Sequence, residues 1–554
     1  MNRSVFALLP LLGIVLLSAI GSGCRGVLTT DPMLAVDVPE DRLRRIEPLD
    51  MEAMSASEEA EKQDSGKPAQ ENTDEEQKQP PAELELTLEE CRAAALENNL
   101  DLEVQLISPA IARETIAEQD ARFEPSLFWN SNYRKTETPT ATRLEASRTK
   151  QFSSDLGVQF PLRTGGTITV DVPFNRYQTN NQFATLPTSY TMDLNASISQ
   201  PLLRNAGLRT NTHAIRVAHY QTMMSEARTK LELIRVIAAL DRVYWRLYAA
   251  RRELEVRKNQ YDLAVAQLER VQRMVEAGQT AEVEIVRARA GVAERLEGII
   301  VADNALRDRE RDLKRIMNKP GLGIESRTVI IPKTSPNPAD YNLSTARLID
   351  AALKSRMELL ELELKIASDA STVDFRRNQT LPAVTLDYTY NINGLGATRS
   401  DAYDMLDDAE FSDHYFGLRV AVPIGNEAAQ SRLRQAVYSK IQQIATKRRR
   451  TQLIKQEVAN AADQLDANWQ RILASRQRTV LAKRNLDAEE RQFKQGLRTS
   501  TDVLDAQTRL ADAQSAEVQA LAEYQIAQVD IAFATGKLLG ASGVFWEPEV
   551  PAEK

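Results

Sequence analysis

Two stretches of this chain, roughly 204–277 and 427–495, read as helix from end to end, and neither contains a proline. At about 1.5 Å per residue each is on the order of 100 Å long, more than a compact globular domain accommodates. Tyr261, Ala264, Leu268, Val271 and Val275 step by three and four residues, the seam of a coiled coil, with Asp262, Glu269, Arg270 and Arg273 beside it. Each stretch ends at a glycine, Gly278 or Gly496, able to take the left-handed conformation that stops a helix. A shorter helix follows, about 282–317 and 500–535, with Thr501 or Ser500 as the expected cap of the second one. The chain therefore predicts two long antiparallel helical hairpins with glycine at their tips.

The two hairpins belong to two copies of one unit. Leu96 is followed 29 residues later by Pro125, and Leu353 is followed 29 residues later by Pro382, so both anchors are offset by 257. Ser199-Gln200-Pro201-Leu202 answers Ala421-Val422-Pro423-Ile424, and Gly278 with Glu284, Ile285 and Ala288 answers Gly496 with Asp502, Val503 and Ala506. An internal duplication is the reading of such equal spacings.

Between helices the period changes from 3.6 to 2. Leu127, Trp129 and Tyr133 alternate with Phe128, Asn130 and Asn132, and the same period of two runs through Tyr190 to Ile198, Val384 to Tyr390 and Phe416 to Ile424. Strands of nine or ten residues with one apolar and one polar face suit a transmembrane barrel; a soluble half-buried hairpin carries the same pattern. Asp155 to Phe160, a Gly165-Gly166 turn and Thr167 to Val172 form an extra hairpin without a counterpart in the second copy, and the sequence does not decide whether it joins a barrel. Four to six strands cannot close around a pore, and open sheet edges are not tolerated in lipid, so several chains must complete one cylinder.

The N-terminus sets the compartment. Met1 to Ile20 has a basic start at Arg3 and an apolar run from Val5, read as a secretory signal over 1–23. Gly21-Ser22-Gly23-Cys24 resembles a lipoprotein lipobox, with Gly21 where Leu is usual, and implies acylation of Cys24. Residues 51–85 hold 11 Asp and Glu against 3 Lys, which accounts for the whole formal net charge of -8. This acidic stretch within the anchored segment 24–85 reads as a flexible tether, and the body carries no charge excess that implies a basic or nucleic-acid partner. The remaining Cys91 reads as a small buried residue, and no disulfide framework exists.

On these features the chain resembles the TolC-like family of outer-membrane efflux channels over about 86–540. The residues that carry the likeness are Leu86-Thr87-Leu88, the prolines Pro125 and Pro382 before strands, the junctions Gln200-Pro201-Leu202-Leu203-Arg204 and Val422-Pro423-Ile424-Gly425, and above all the tip Gly496-Leu497-Arg498-Thr499-Ser500-Thr501-Asp502-Val503-Leu504. The resemblance implies a mainly α fold with transmembrane β: a homotrimeric barrel of four strands per chain, lipid-anchored in the outer membrane and continued by a coiled-coil tunnel through the periplasm. It divides the chain into a first repeat 86–321, an equatorial connector 322–342, a second repeat 343–540 and a tail 541–554. It implies an exit duct for small molecules or proteins, served by a periplasmic adaptor and an inner-membrane pump, with no cofactor. Carried onto this sequence, the adaptor-docking residues are Gly278, Glu284, Ile285, Gly496, Leu497, Thr501, Asp502 and Val503. Asp502 and Asp505, one turn apart, match the acidic constriction; Arg287 stands where the first copy would need its own acid. Asp502 also fits an ordinary helix start, where the dipole favours an acid.

Competing chemistry is thin. The run Lys447-Arg448-Arg449-Arg450 lies inside a long helix and reads as a solvated or ion-paired face. His213 and His219, six apart, do not share a helix face, and no carboxylate is paired with a nucleophile, so neither a metal pair nor an enzyme is expected. The other class the sequence admits is a non-conducting periplasmic coiled-coil scaffold lipoprotein.

Overall fold

The computed structural model describes residues 83–142 and 144–545, all within one compact unit, Pro80–Lys554. The expected signal, Cys24 and the acidic tether lie outside the described residues, apart from the last three positions of the tether. In chain order the elements are β1 (Glu83–Leu86), α1 (Leu88–Asn98), α2 (Leu100–Asp120), β2 (Ser126–Glu137), β3 (Arg148–Pro161), β4 (Thr167–Thr179), β5 (Thr188–Pro201), α3 (His213–Glu276) and α4 (Val283–Met317). Then come β6 (Val329–Pro332), α5 (Thr345–Ser355), α6 (Met357–Gln379), β7 (Ala383–Gly396), α7 (Arg399–Asp408), β8 (Ser412–Ala421), α8 (Glu427–Lys494) and α9 (Ser500–Ala534). Among them, no helix is long and apolar enough to cross a membrane.

Helices α3 and α8 run for 64 and 68 residues, about 96 and 102 Å at the usual rise. The fully buried line on α3 near the tip is Gln260, Ala264, Gln267 and Val271, with Tyr261, Leu268 and Val275 half-buried beside it. The buried stripe is thus rotated by about one residue from the heptad read in the sequence. The reason is that α3 packs on two neighbours, α4 and α9, and not on one.

Six strands form a single antiparallel sheet in the order β2-β3-β4-β5-β7-β8. Two more than the four implied by the family resemblance are present, because the extra hairpin β3–β4 lies between β2 and β5. The pairing puts all apolar alternations on one face: Leu127 and Trp129 beside Val158 and Leu156, these beside Val170 and Val172. The face continues through Ala196 and Ile198, Tyr390 and Tyr388, and ends at Phe416, Leu418 and Val420. The opposite face carries Asn130, Asp155, Asp171, Asp193, Asn195, Asn391, Asn393 and Asp413. At the far end α7 lies against Gly394 and Gly396, where any Cβ would meet the backbone of Ala402 within 2.5 Å.

Midway along the helices a two-stranded parallel pair, β1 with β6, is pinned to α3 by Tyr244, whose hydroxyl donates to the Leu86 carbonyl at 3.1 Å and accepts from the Thr334 amide at 3.0 Å. Beside it Arg92 of α1 donates two hydrogen bonds, 2.8 and 2.7 Å, to the buried Asp241 of α3. Cys91 is buried in the same cluster, and burial pushes its thiol up to about 12, so it is no nucleophile at neutral pH.

Candidate functional site

Two features of the chain face outward: the tip where the helical hairpins end, and the edges at which both layers stop.

At the tip the two hairpins close alike. Gly278 and Gly496 have φ of +70° and +73°, and each sits at the reversal of a Schellman turn: Gln279 donates to the Met274 carbonyl, and Leu497 to that of Gln492. The first helix after a tip has no side-chain cap, at Glu282. The second has a full capping box, in which the Asp502 amide donates to the Thr499 hydroxyl at 3.3 Å and the Thr499 amide donates to the Asp502 carboxylate at 2.9 Å. The cap is therefore Thr499, not Thr501 or Ser500: the chain is still extended at 499, and Ser500 is already helical and buried. These hydrogen bonds from Thr499 hold the Asp502 carboxyl below the usual carboxylate range.

The residues expected to dock a partner divide into two groups. Leu497 is 71% exposed, and Thr501 is also exposed. Val503 is fully buried with Val271, Leu486, Phe493, Ala506 and Leu510, and Ile285 packs against that cluster. Val503 therefore shapes the tip from within and offers no surface. Glu284 is half-buried and ion-paired with Arg287 at 2.6 Å; Asp505 is exposed.

Sequence reading missed Arg295. It lies on the line Ala288, Gly291, Arg295, Ala302, an apolar seam on α4 interrupted by one charge. Its guanidinium is buried and donates to the carbonyls of Gly291 (2.9 Å) and Leu504 (3.2 Å) and to the Thr508 hydroxyl (2.8 Å), tying α4 to α9. Removing it in Arg295→Ala leaves these acceptors short of a donor and costs about 1–3 kcal/mol. Amide exchange over 500–510 should accelerate in that variant while the far ends of α3 and α8 keep their protection; unchanged exchange there would mean the tie carries no stability.

The edges form a consistent series. In the tip half α3 packs between α4 and α9, and α9 between α3 and α8, so the outer helices are α4 and α8. In the half toward the sheet the order is α2, α3, α6, α8. The sheet itself ends in β2 and β8. One margin is thus α4, α2 and β2; the other is α8 and β8. Both expose apolar residues at helical spacing: Leu100, Val104, Ile107 and Ile111 on α2, Val286, Leu296 and Ile300 on α4, and Tyr438, Ile441, Leu473 and Val480 on α8. The basic run on α8 is in part ion-paired to α6, Lys447 with Glu363 at 2.7 Å and Arg450 with Glu358 at 3.1 Å.

Residues 348–537 match the family model described as outer membrane efflux protein. Outer membrane protein TolC of Escherichia coli K12 is 26% identical over 376 residues, covering 66% of this chain and 72% of that protein. TolC of Vibrio cholerae is 24% identical over 307 residues, or 55% and 68%. Among solved structures, CusC superposes with a TM-score of 0.61 at 15% identity, covering 84% of this chain and 99% of its own. The outer membrane protein VceC from Vibrio cholerae gives 0.60 at 15%, with 81% and 96% covered. The fold is that of the outer-membrane channels. Over residues 348–537 the chain is similar to outer membrane efflux proteins, and over 376 residues to TolC itself.

Proposed function

We propose that this chain is the outer-membrane channel subunit of a tripartite efflux or type I secretion system. Three copies close head to tail, each margin of α4, α2 and β2 meeting the α8 and β8 margin of the next chain. The observation that carries this is that the helical layers and the sheet stop at the same two margins and leave both open, which favours a cyclic assembly over a single chain. The apolar sheet face then meets outer-membrane lipid, the polar face lines the lumen, and the helices form a periplasmic tunnel. The matched halves 86–321 and 343–540 are read as a duplication joined by the connector 322–342, and Cys24 as an acylated anchor. Small molecules or proteins enter at the tip from a periplasmic adaptor and an inner-membrane pump.

Docking falls to Gly278, Gly496, Leu497 and Thr501, with Glu284, Ile285, Asp502 and Val503 holding the tip's shape. Asp502 and Asp505 from three chains form acidic rings at the entrance. With its carboxyl held low by Thr499, Asp502 is ionised at any physiological pH; its capping contribution is present above the ordinary carboxylate pKa and is lost as pH falls through the lowered value. Asp502→Ala with Asp505→Ala should raise single-channel conductance and weaken block by multivalent cations; unchanged block would remove the ring.

Reconstitution into planar bilayers tests the whole reading. A detergent-resistant trimer that conducts supports it, and a water-soluble monomer without conductance supports the scaffold lipoprotein instead.

A further inference from the structure

The hairpin β3–β4 has no equivalent in the second half of the chain, yet it is built into the sheet along its whole length. Twelve residue pairs join β2 to β3, from Ser126 with Gln159 to Glu137 with Arg148, and thirteen join β3 to β4. At 14 and 13 residues these strands are as long as the others, and Leu156, Val158, Val170 and Val172 fall on the common apolar face. No direct pairing of β2 with β5 exists.

The turn of this hairpin is seated among the strand-to-helix junctions. The Gly207 amide donates to the Thr164 carbonyl at 3.0 Å, and the Thr164 hydroxyl donates to the Gln200 side chain at 2.9 Å. Arg163 pairs with Asp120 at the end of α2 at 2.7 Å and lies over the Phe123 ring. Gly165 has φ of +93°, and a Cβ there would meet the Asn205 carbonyl oxygen at 2.2 Å, so only glycine fits this seat. The hairpin is wall, not flap.

Resting on the three-fold assembly above, we propose that the barrel contains eighteen strands, six from each chain, and that the insert widens it to the bore of the tunnel. At a spacing of ~4.8 Å and a tilt of ~40°, eighteen strands enclose a backbone cylinder about 36 Å across, where twelve would give about 24 Å. Four helices per chain, α2, α3, α6 and α8, reach the sheet; twelve of them at ~9 Å spacing make a tube of roughly 108 Å circumference. Eighteen tilted strands span about 113 Å and twelve only about 75 Å. The wider barrel continues the tunnel without a taper, so its wall sets no narrowing for cargo crossing the outer membrane.

Single-particle imaging of the full chain in lipid nanodiscs reads the diameter directly. A three-fold ring near 36 Å is the expected result. A three-fold ring near 24 Å overturns the wide barrel and leaves the trimer standing, whereas particles without a closed ring overturn both. Deleting Arg148–Thr179 should narrow the ring by about one third, and an unchanged diameter in that variant would place the hairpin outside the wall.

Discussion

Charging the open margin of α2, with Val104→Asp and Ile111→Asp together, is expected to leave the chain folded and abolish its assembly. Val104 and Ile111 are 69% and 64% exposed in the single chain, so neither substitution opens a cavity or buries a charge there. In a closed ring both would lie at the contact with the next chain. Burying a Val or Ile there is worth about 1.5–3 kcal/mol, and an unpaired carboxylate in its place adds a desolvation cost. Two such sites per interface weaken association by roughly a thousandfold or more. Native mass spectrometry in detergent should shift from trimer to monomer while far-ultraviolet circular dichroism keeps its helical amplitude. Trimers that persist would remove α2 from the interface.

The second large effect is expected at the tip. Leu497 is an exposed apolar side chain at the apex, and only its backbone amide is used in the turn. Leu497→Glu therefore preserves the turn and changes only the surface offered to a partner. If the proposed docking holds, export measured in cells that also carry an adaptor and a pump should fall at least about tenfold, the loss of one well-buried contact, with the assembled protein still present in the outer membrane. Replacing Gly496 by a bulky residue acts more bluntly: at φ of +73° any side chain strains the reversal by about 1–2 kcal/mol, so the tip loses its shape as well as its surface. If Leu497→Glu exports normally, docking lies elsewhere.

Much of the helical architecture was legible because it is written in local terms. Helix length follows from proline-free apolar periodicity, and the tips at Gly278 and Gly496 follow from a conformation that only glycine adopts cheaply. Strand faces were equally readable at Leu127, Tyr190, Val384 and Phe416, since a period of two assigns every side chain to a face. Thr499 was harder to place because 499, 500 and 501 all carry hydroxyls able to cap; only Thr499 has an acid three residues on, Asp502, and the chain turns there, one residue before Ser500 and two before Thr501. Val503 was expected at the docking surface from the family resemblance, whereas packing of α3, α8 and α9 buries it.

Periodicity, prolines and glycines alone specify the pieces: two long hairpins, alternating strands, and an extra hairpin around Gly165-Gly166. Whether that hairpin stood in the sheet was decided only by the tertiary structure, since a strand's partner depends on which edge is left free and not on its own residues. The same holds for Arg295, whose partners on α9, the Leu504 carbonyl and the Thr508 hydroxyl, sit more than 200 positions away along the chain. Local propensity fixes an element's shape through nearby backbone geometry; neighbours are chosen by burial and hydrogen-bond satisfaction across distant segments, and those terms exist only once the chain has folded.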